Sequence, residues 1–322
     1  MTSITAAQLS QDIAEFLEFK HALGHPYGRG ELTLRAFQHF IEQYAQKHSK
    51  IDLEPLLKEW VGRIGGRKAV TVGFEFGVIR QLCLYRRRSD PHSFVPDRGW
   101  APVVESTFIP YIFSYDEIRQ ILRAAGNHRG RNIWAGMLRA LILVLYCTGL
   151  RLGEAVRLRL QDVDLHRQLF VVLASKGRTR IVPFGADLGR ELGVYLTERQ
   201  QIVDKAGDRD PGVLFVRQSG APLSMGSASG ALKRLLRDQG LKPPRGRIGP
   251  RPYEFRHAFA VHRLTEWYHK GVDIHARLPW LSAYMGHQNV LGTEVYLLAT
   301  PELLNLASAR FERRLASARR ER

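Results

Sequence analysis

The chain is poor in cysteine and acid and has no long apolar run, and each shortage removes a class of protein. Only Cys83 and Cys147 occur in 322 residues. They stand far apart in apolar surroundings, and no CxxC pair exists. A disulfide framework and a cysteine-based zinc site are therefore not expected, and the pattern suits a reducing cytoplasm. The longest apolar run, Ala140 to Cys147, is too short to cross a bilayer and reads as a buried helix. No basic-then-apolar leader follows Met1, so neither a secretory signal nor a membrane partner is expected. No GxxxxGK[ST] phosphate loop is present, which argues against nucleotide hydrolysis. His257, His262 and His269 lack cysteine or carboxylate companions at metal-ligand spacing. Solvated or packed histidines are the simpler reading, and neither metal nor cofactor is expected. Internal repeats and low-complexity segments are also absent.

What the chain has in excess is positive charge. Lys and Arg number 48 against 31 Asp and Glu, a net charge of +17. Such an excess points to a polyanion, because cations that neutralise phosphates release counterions. Arginine leads the excess and clusters, as at Arg86-Arg87-Arg88, which favours nucleic acid over a merely soluble basic protein.

Apolar periodicity predicts helices over about 5–25, 31–46, 56–64 and 71–87. The first opens on Thr5 and Gln8, a capping-box pair. Gly65-Gly66-Arg67-Lys68 is a basic turn. Pro91, Pro96, Pro102 and Pro110, with Gly99, then break the pattern, so residues 89–110 read as an extended linker. The expected division is a helical module over 1–105 and a second domain over 111–322. In the second, Ser114 and Glu117 cap a helix, and a buried helix runs over 132–148 to Gly149. Another starts at Glu154. Residues 163–165, 169–173 and 180–184 have strand composition, the last two joined by a turn over 175–178. Helices follow over 188–203, 227–239, 254–268, 278–285 and 293–298, with a last one from Pro301 and a basic tail over 310–322. The fold class is thus mainly α with a small antiparallel sheet.

Several turns carry groups suited to a phosphodiester. Arg151 lies in Thr148-Gly149-Leu150-Arg151-Leu152-Gly153-Glu154, and Arg256 in Tyr253-Glu254-Phe255-Arg256-His257. Lys176 sits at the hairpin tip. His287 follows Gly286, and Tyr296 comes nine residues later. Two arginines can fork onto the non-bridging oxygens of a phosphodiester. A lysine can protonate a leaving oxygen, a histidine can donate a hydrogen bond or move a proton, and a tyrosine can attack. Together these describe phosphoryl transfer without a metal. Taken singly each has a bland reading: a half-buried core tyrosine, a structural Gly-His turn, a surface arginine in an ion pair. The ordered set is what argues for chemistry. Tyr268 and Tyr284 compete with Tyr296 but read as packing residues.

These elements resemble the phage integrase family of tyrosine recombinases. The stretch 148–154 is similar to that family's first arginine box, and 175–183 to its strand-turn-strand lysine element. Arg256-His257-Ala-Phe-Ala260 resembles the second arginine box, and Met-Gly-His287 with Tyr296 the histidine and nucleophile. The likeness runs over about 114–304. By pattern, the helical first module resembles the family's core-binding (SAM-like) domain. The stretches 278–287 and 296–302 look most like recombinases carried by transposons.

The resemblance implies that Tyr296 attacks a scissile phosphate of double-stranded DNA to give a 3′-phosphotyrosine. Arg151 and Arg256 would hold the phosphate, Lys176 would protonate the leaving 5′-oxygen, and His287 would assist. Glu154 would orient the site. It also implies a homo-tetramer on DNA, with which a monomer in solution is compatible, and packing of 301–322 on a neighbour; whether companion recombinases take part is left open by the sequence. Lys68, Arg86, Arg87, Arg88 and Arg178 are the candidate DNA contacts. One departure stands out. The family usually carries histidine three residues before the second arginine, where this chain has Tyr253. A phenol can hydrogen-bond phosphate but is a poor base near neutral pH. His257 is the nearby substitute, although helical geometry is expected to turn it into the structure. A type IB topoisomerase and a DNA-binding protein without catalysis are the alternatives.

Overall fold

The computed structural model describes residues 4–48, 50–63, 66–103, 110–175, 178–207, 209–246, 248–298, 303–309 and 311–312. The chain divides into two compact units, Met1–Thr107 and Phe108–Arg322.

The first unit holds α1 (Ala6–Ala22), α2 (Gly28–Ala45), α3 (Leu53–Gly62) and α4 (Ala69–Arg86). Thr5 and Gln8 form the expected capping box, satisfying two backbone N–H groups that would otherwise lack partners. Leu9, Ile13 and Phe16 of α1 meet Leu34, Phe37 and Ile41 of α2, with Trp60 of α3 and Leu82 of α4. The first part of the proline-rich stretch, as far as Trp100, packs on the first unit, while residues 104–109 of the expected linker lie outside the described residues. Phe94, Val95 and Trp100 pack against this same core, and Arg80 donates to the Pro96 carbonyl at 3.0 Å. Asp97 caps a short 3-10 turn over Arg98–Trp100. Helix α4 ends at Arg86, before the first proline, and the aromatics that follow bury apolar surface and hold this segment on the first unit.

The second unit contains α5 (Tyr115–Gly126), α6 (Ala135–Thr148), α7 (Leu152–Arg157), β1 (Val163–Asp164), β2 (Leu169–Ser175) and β3 (Arg178–Pro183). There follow α8 (Ala186–Ala206), α9 (Met225–Asp238), α10 (Glu254–His269), α11 (Ile274–Met285) and α12 (Leu291–Glu294), then a 3-10 turn over Val295–Leu298. Ser114 and Glu117 form the α5 capping box. Helix α6 buries Leu138, Leu141, Ile142, Val144 and Leu145, as a helix apolar all round must. The sheet is antiparallel in the order β1-β2-β3, with a bulge between Val172 and Ser175.

Helix α11 starts at Ile274, four residues before the expected 278. Asp273 caps it by accepting from the His275 and Ala276 amides, and Pro279 stands inside the helix. A second apolar cluster joins Phe259, Leu264, Leu278, Leu281, Met285, Tyr296 and Leu303. It fixes α10 and α11 against the turn that carries Tyr296. Among the described residues, no helix is long and apolar enough to cross a membrane, and no cluster of metal-ligating side chains occurs.

Candidate active site

The last carbonyls of a helix have no partners within it and carry the negative end of its dipole. At the end of α11 three arginines supply them. Arg180 Nε donates to the Tyr284 carbonyl at 3.0 Å, Arg256 to Met285 at 2.7 Å and Arg151 to Gly286 at 3.1 Å. Three consecutive carbonyls therefore receive guanidinium groups from β3, α10 and the residue before α7. Gly286 takes the left-handed conformation (φ 69°), and a Cβ there would lie 2.8 Å from Arg180. The close approach and the backbone angle both require glycine.

Glu154 binds two of the three cations. Its carboxylate accepts from Arg151 at 2.7 Å, from Arg180 at 2.7 and 3.2 Å, and from the Arg151 amide at 2.9 Å. Glu154 is 3% exposed, so the charge is buried but fully used. Arg256 is equally buried and also donates to the Gly149 carbonyl at 2.5 Å. Among the described residues three guanidinium groups gather near one carboxylate, a locally positive place suited to an anion.

The donor rules settle the state of His287. Arginine can only donate, so the 2.8 Å contact from Arg256 makes His287 Nε2 an acceptor. Nδ1 then carries the hydrogen and donates to Thr293 Oγ1 at 2.6 Å. The imidazole is neutral and locked between the two. Tyr296 is 2% exposed, with its ring 6.3 Å from that of His287 and 5.3 Å from that of His257. Burial pushes its phenol up to about 12, while the Arg256 charge pulls the other way. It is a neutral hydroxyl beside waiting cations.

The structure thus brings together Arg151, Glu154, Arg256, His287 and Tyr296. Tyr253, just before α10, is partly exposed and packs edge-on to His257 at 4.8 Å. His257 does turn inward, as helical geometry suggests, but what it meets there is Tyr296. Lys176 lies outside the described residues, as does the side chain of Arg178. Lys68, Arg87 and Arg88 are exposed. Arg86 is not: it pairs with Asp12 of α1 at 2.6 Å and serves the first unit's interior.

Arg180 is the site residue that motif reading missed. The sequence carries no clear signal for it, because Ile181 and Val182 are both apolar; only the strand register, with Val172 and Val182 buried and Ile181 exposed, points Arg180 inward. An inward arginine requires an acid, and Glu154 is that acid.

Comparison with known proteins agrees with this geometry. Residues 112–302 match the family described as "Phage integrase family". A putative integrase/recombinase, y4rB, of Sinorhizobium fredii (strain NBRC 101917 / NGR234) is 31% identical over 309 residues, covering 94% of this chain and 97% of that protein. Tyrosine recombinase XerD of Mycobacterium tuberculosis is 29% identical over 211 residues, covering 64% of this chain and 62% of that protein. Among solved structures, XerH site-specific recombinase bound to its difH substrate superposes with a TM-score of 0.67 at 20% identity, covering 96% of this chain and 85% of that one. The Tn1549 transposon integrase in complex with transposon right end DNA gives 0.65 at 16%, covering 96% and 99%. The chain belongs to the phage integrase family of tyrosine recombinases.

Two outcomes follow for stability. Glu154→Ala leaves Arg151 and Arg180 without their counter-charge, and unfolding in urea is expected to show a loss of about 3–5 kcal/mol. The second concerns His257, which burial and then the Arg251 and Arg256 charges push from 6.5 down to about 4. The unfolded chain takes up this proton below its ordinary value, and the folded one resists until about 4. The associated stability is therefore complete above pH 6.5 and is lost as pH falls toward 4. Unfolding measured at pH 7 and 4.5 should show a smaller drop in His257→Phe than in the wild type.

Proposed function

We propose that this protein is a site-specific DNA recombinase that cuts and rejoins double-stranded DNA through a 3′-phosphotyrosine intermediate. One observation carries the reading. A buried tyrosine stands beside Arg256, in a cluster where three guanidinium groups converge on one helix end. Arg151 and Arg256 would clamp the non-bridging oxygens of the scissile phosphate, with donors fixed before the substrate arrives. Glu154 keeps Arg151 in place, and His287 keeps Arg256 in place. Tyr296 attacks phosphorus, the bond to the 5′-oxygen breaks, and Lys176 protonates that oxygen. Tyr253, partly exposed at the site, would donate a hydrogen bond to the phosphate. The 5′-hydroxyl of a partner strand then reverses the step. The bond energy is retained in the phosphotyrosine, so no ATP is consumed.

Lys68, Arg87, Arg88 and Arg178 would contact DNA phosphates away from the cut. Recombination joins two DNA sites, which calls for four copies of the chain on DNA, with 301–322 packing on a neighbour and companion recombinases joining where the element encodes them. The likeness to a transposon integrase supports a mobile element as the substrate, and an enzyme acting on such DNA would work in the cytoplasm. A type IB topoisomerase would share the chemistry, but no observation favours it. Loss of catalysis is disfavoured by the assembled arginine, histidine and tyrosine set.

The test uses a duplex from the ends of the element, nicked near the cut so that cleavage cannot be reversed. The wild type should give a covalent adduct on a denaturing gel, and Tyr296→Phe should bind the duplex without one. A wild type that binds a demonstrated cognate site and never forms an adduct would sink the proposal.

A further inference from the structure

One task in this chemistry has no group assigned to it. Tyr296 must lose its proton as its oxygen attacks, and burial holds that proton tightly. Tyr253 is a phenol, a donor to phosphate but a weak proton acceptor near neutral pH. His287 is engaged at both ring nitrogens, by Arg256 at 2.8 Å and Thr293 at 2.6 Å. It can accept a proton only by expelling the guanidinium that it holds.

His257 differs in each respect. Its ring contacts both Tyr253 and Tyr296 edge to face, at 4.8 and 5.3 Å between centroids. It is 8% exposed, and its Nδ1 is buried without a hydrogen-bond partner. Its Nε2 lies 3.4 Å from Glu254 Oε2, which is also buried and without a hydrogen bond. The other Glu254 oxygen accepts from Arg251 Nε at 3.0 Å. Unbonded polar atoms are costly in an interior, and two adjacent ones ask for a reason. A carboxylate beside Nε2 favours the tautomer with its hydrogen there, which leaves the Nδ1 lone pair open.

We propose that His257, through Nδ1, takes the hydroxyl proton of Tyr296 as the tyrosine attacks, with Glu254 as its positioning residue. The assignment rests on the recombinase function proposed above and deepens it at the chain's departure from the family pattern. In the step, the bond from Tyr296 Oη to phosphorus forms and the bond from phosphorus to the 5′-oxygen breaks. The phenol proton passes to His257, and the leaving 5′-oxygen takes its proton from Lys176. Rejoining reverses each transfer.

The charges explain how a neutral imidazole becomes a base at the right moment. The groups that face His257 are Arg251 and Tyr253 before α10, Glu254 and Arg256 on it, and Tyr296 from the turn after α12. Burial, Arg251 and Arg256 together disfavour its protonated form in the free protein. A phosphodiester seated on Arg151 and Arg256 offsets that positive field, so the proton affinity of His257 rises when substrate binds.

The test is single-turnover cleavage of the nicked duplex from pH 6 to 9. It compares an ordinary scissile phosphate with a 5′-bridging phosphorothiolate, whose sulfur leaves without needing a proton. His257→Phe keeps a ring against both tyrosines and removes both nitrogens. It should bind DNA as the wild type does but form adduct on the order of 100-fold more slowly, with a rate that climbs with pH where the wild type is flat. The defect should persist on the phosphorothiolate. Cleavage at the wild-type rate and pH profile overturns the assignment. So does a defect that vanishes on the phosphorothiolate, which would place the imidazole at the leaving group. If His257→Phe does not fold, His257→Gln carries the same comparison. A wild type without any adduct overturns the recombinase reading itself, whereas a wild-type adduct with an unaffected His257→Phe overturns only the role of His257.

Discussion

The second unit depends on how the carbonyl end of α11 is satisfied. Three successive carbonyls, Tyr284 to Gly286, receive Arg180, Arg256 and Arg151. These come from β3, α10 and the residue before α7, so one helix end fixes three other elements at a point. Each guanidinium is costly to bury alone. The carbonyl dipoles and Glu154 offset most of that cost but not the whole charge. The remainder is what a phosphodiester would complete.

Much of the surrounding structure follows from keeping those cations still. Glu154 orients Arg151 and Arg180 from a position that solvent barely reaches. His287 is neutral because Arg256 needs its lone pair, and Thr293 takes the hydrogen that remains. Gly149 is left-handed and gives its carbonyl to Arg256, while its missing Cβ makes room for Phe259. The apolar cluster beneath, from Phe259 to Leu303, seats Tyr296 next to the arginines. Fixed donors of this kind need no rearrangement when charge develops, which is where electrostatic catalysis gains most.

The parts of the site that were legible in the sequence are those built from local turns. Arg151 with Glu154, Arg256 on its helix start, and His287 after its glycine each sit in a short motif whose geometry is set by near neighbours. Arg180 was hidden because its role depends on strand register and on an acid in a different element. The run Arg86 to Arg88 misled for a related reason. A charge run does not say which member faces inward, and Asp12 of α1 selects Arg86. The proline-rich stretch was read by its helix breakers, although Phe94 and Trp100 already announced apolar contact. The expected start of α11 at 278 missed its first turn, because Asp273 caps the helix at Ile274 and Pro279 is carried inside it.

The central claim is that the arginine cluster presents a phosphodiester to Tyr296 and to no other tyrosine. It is tested most directly by trapping the protein on its nicked duplex, digesting both protein and DNA, and sequencing the nucleotide-bearing peptide by mass spectrometry. Cleavage after arginine places Tyr284 and Tyr296 in one peptide, so fragmentation decides between them. The account predicts the nucleotide on Tyr296. A nucleotide on Tyr284 or Tyr253 would contradict it.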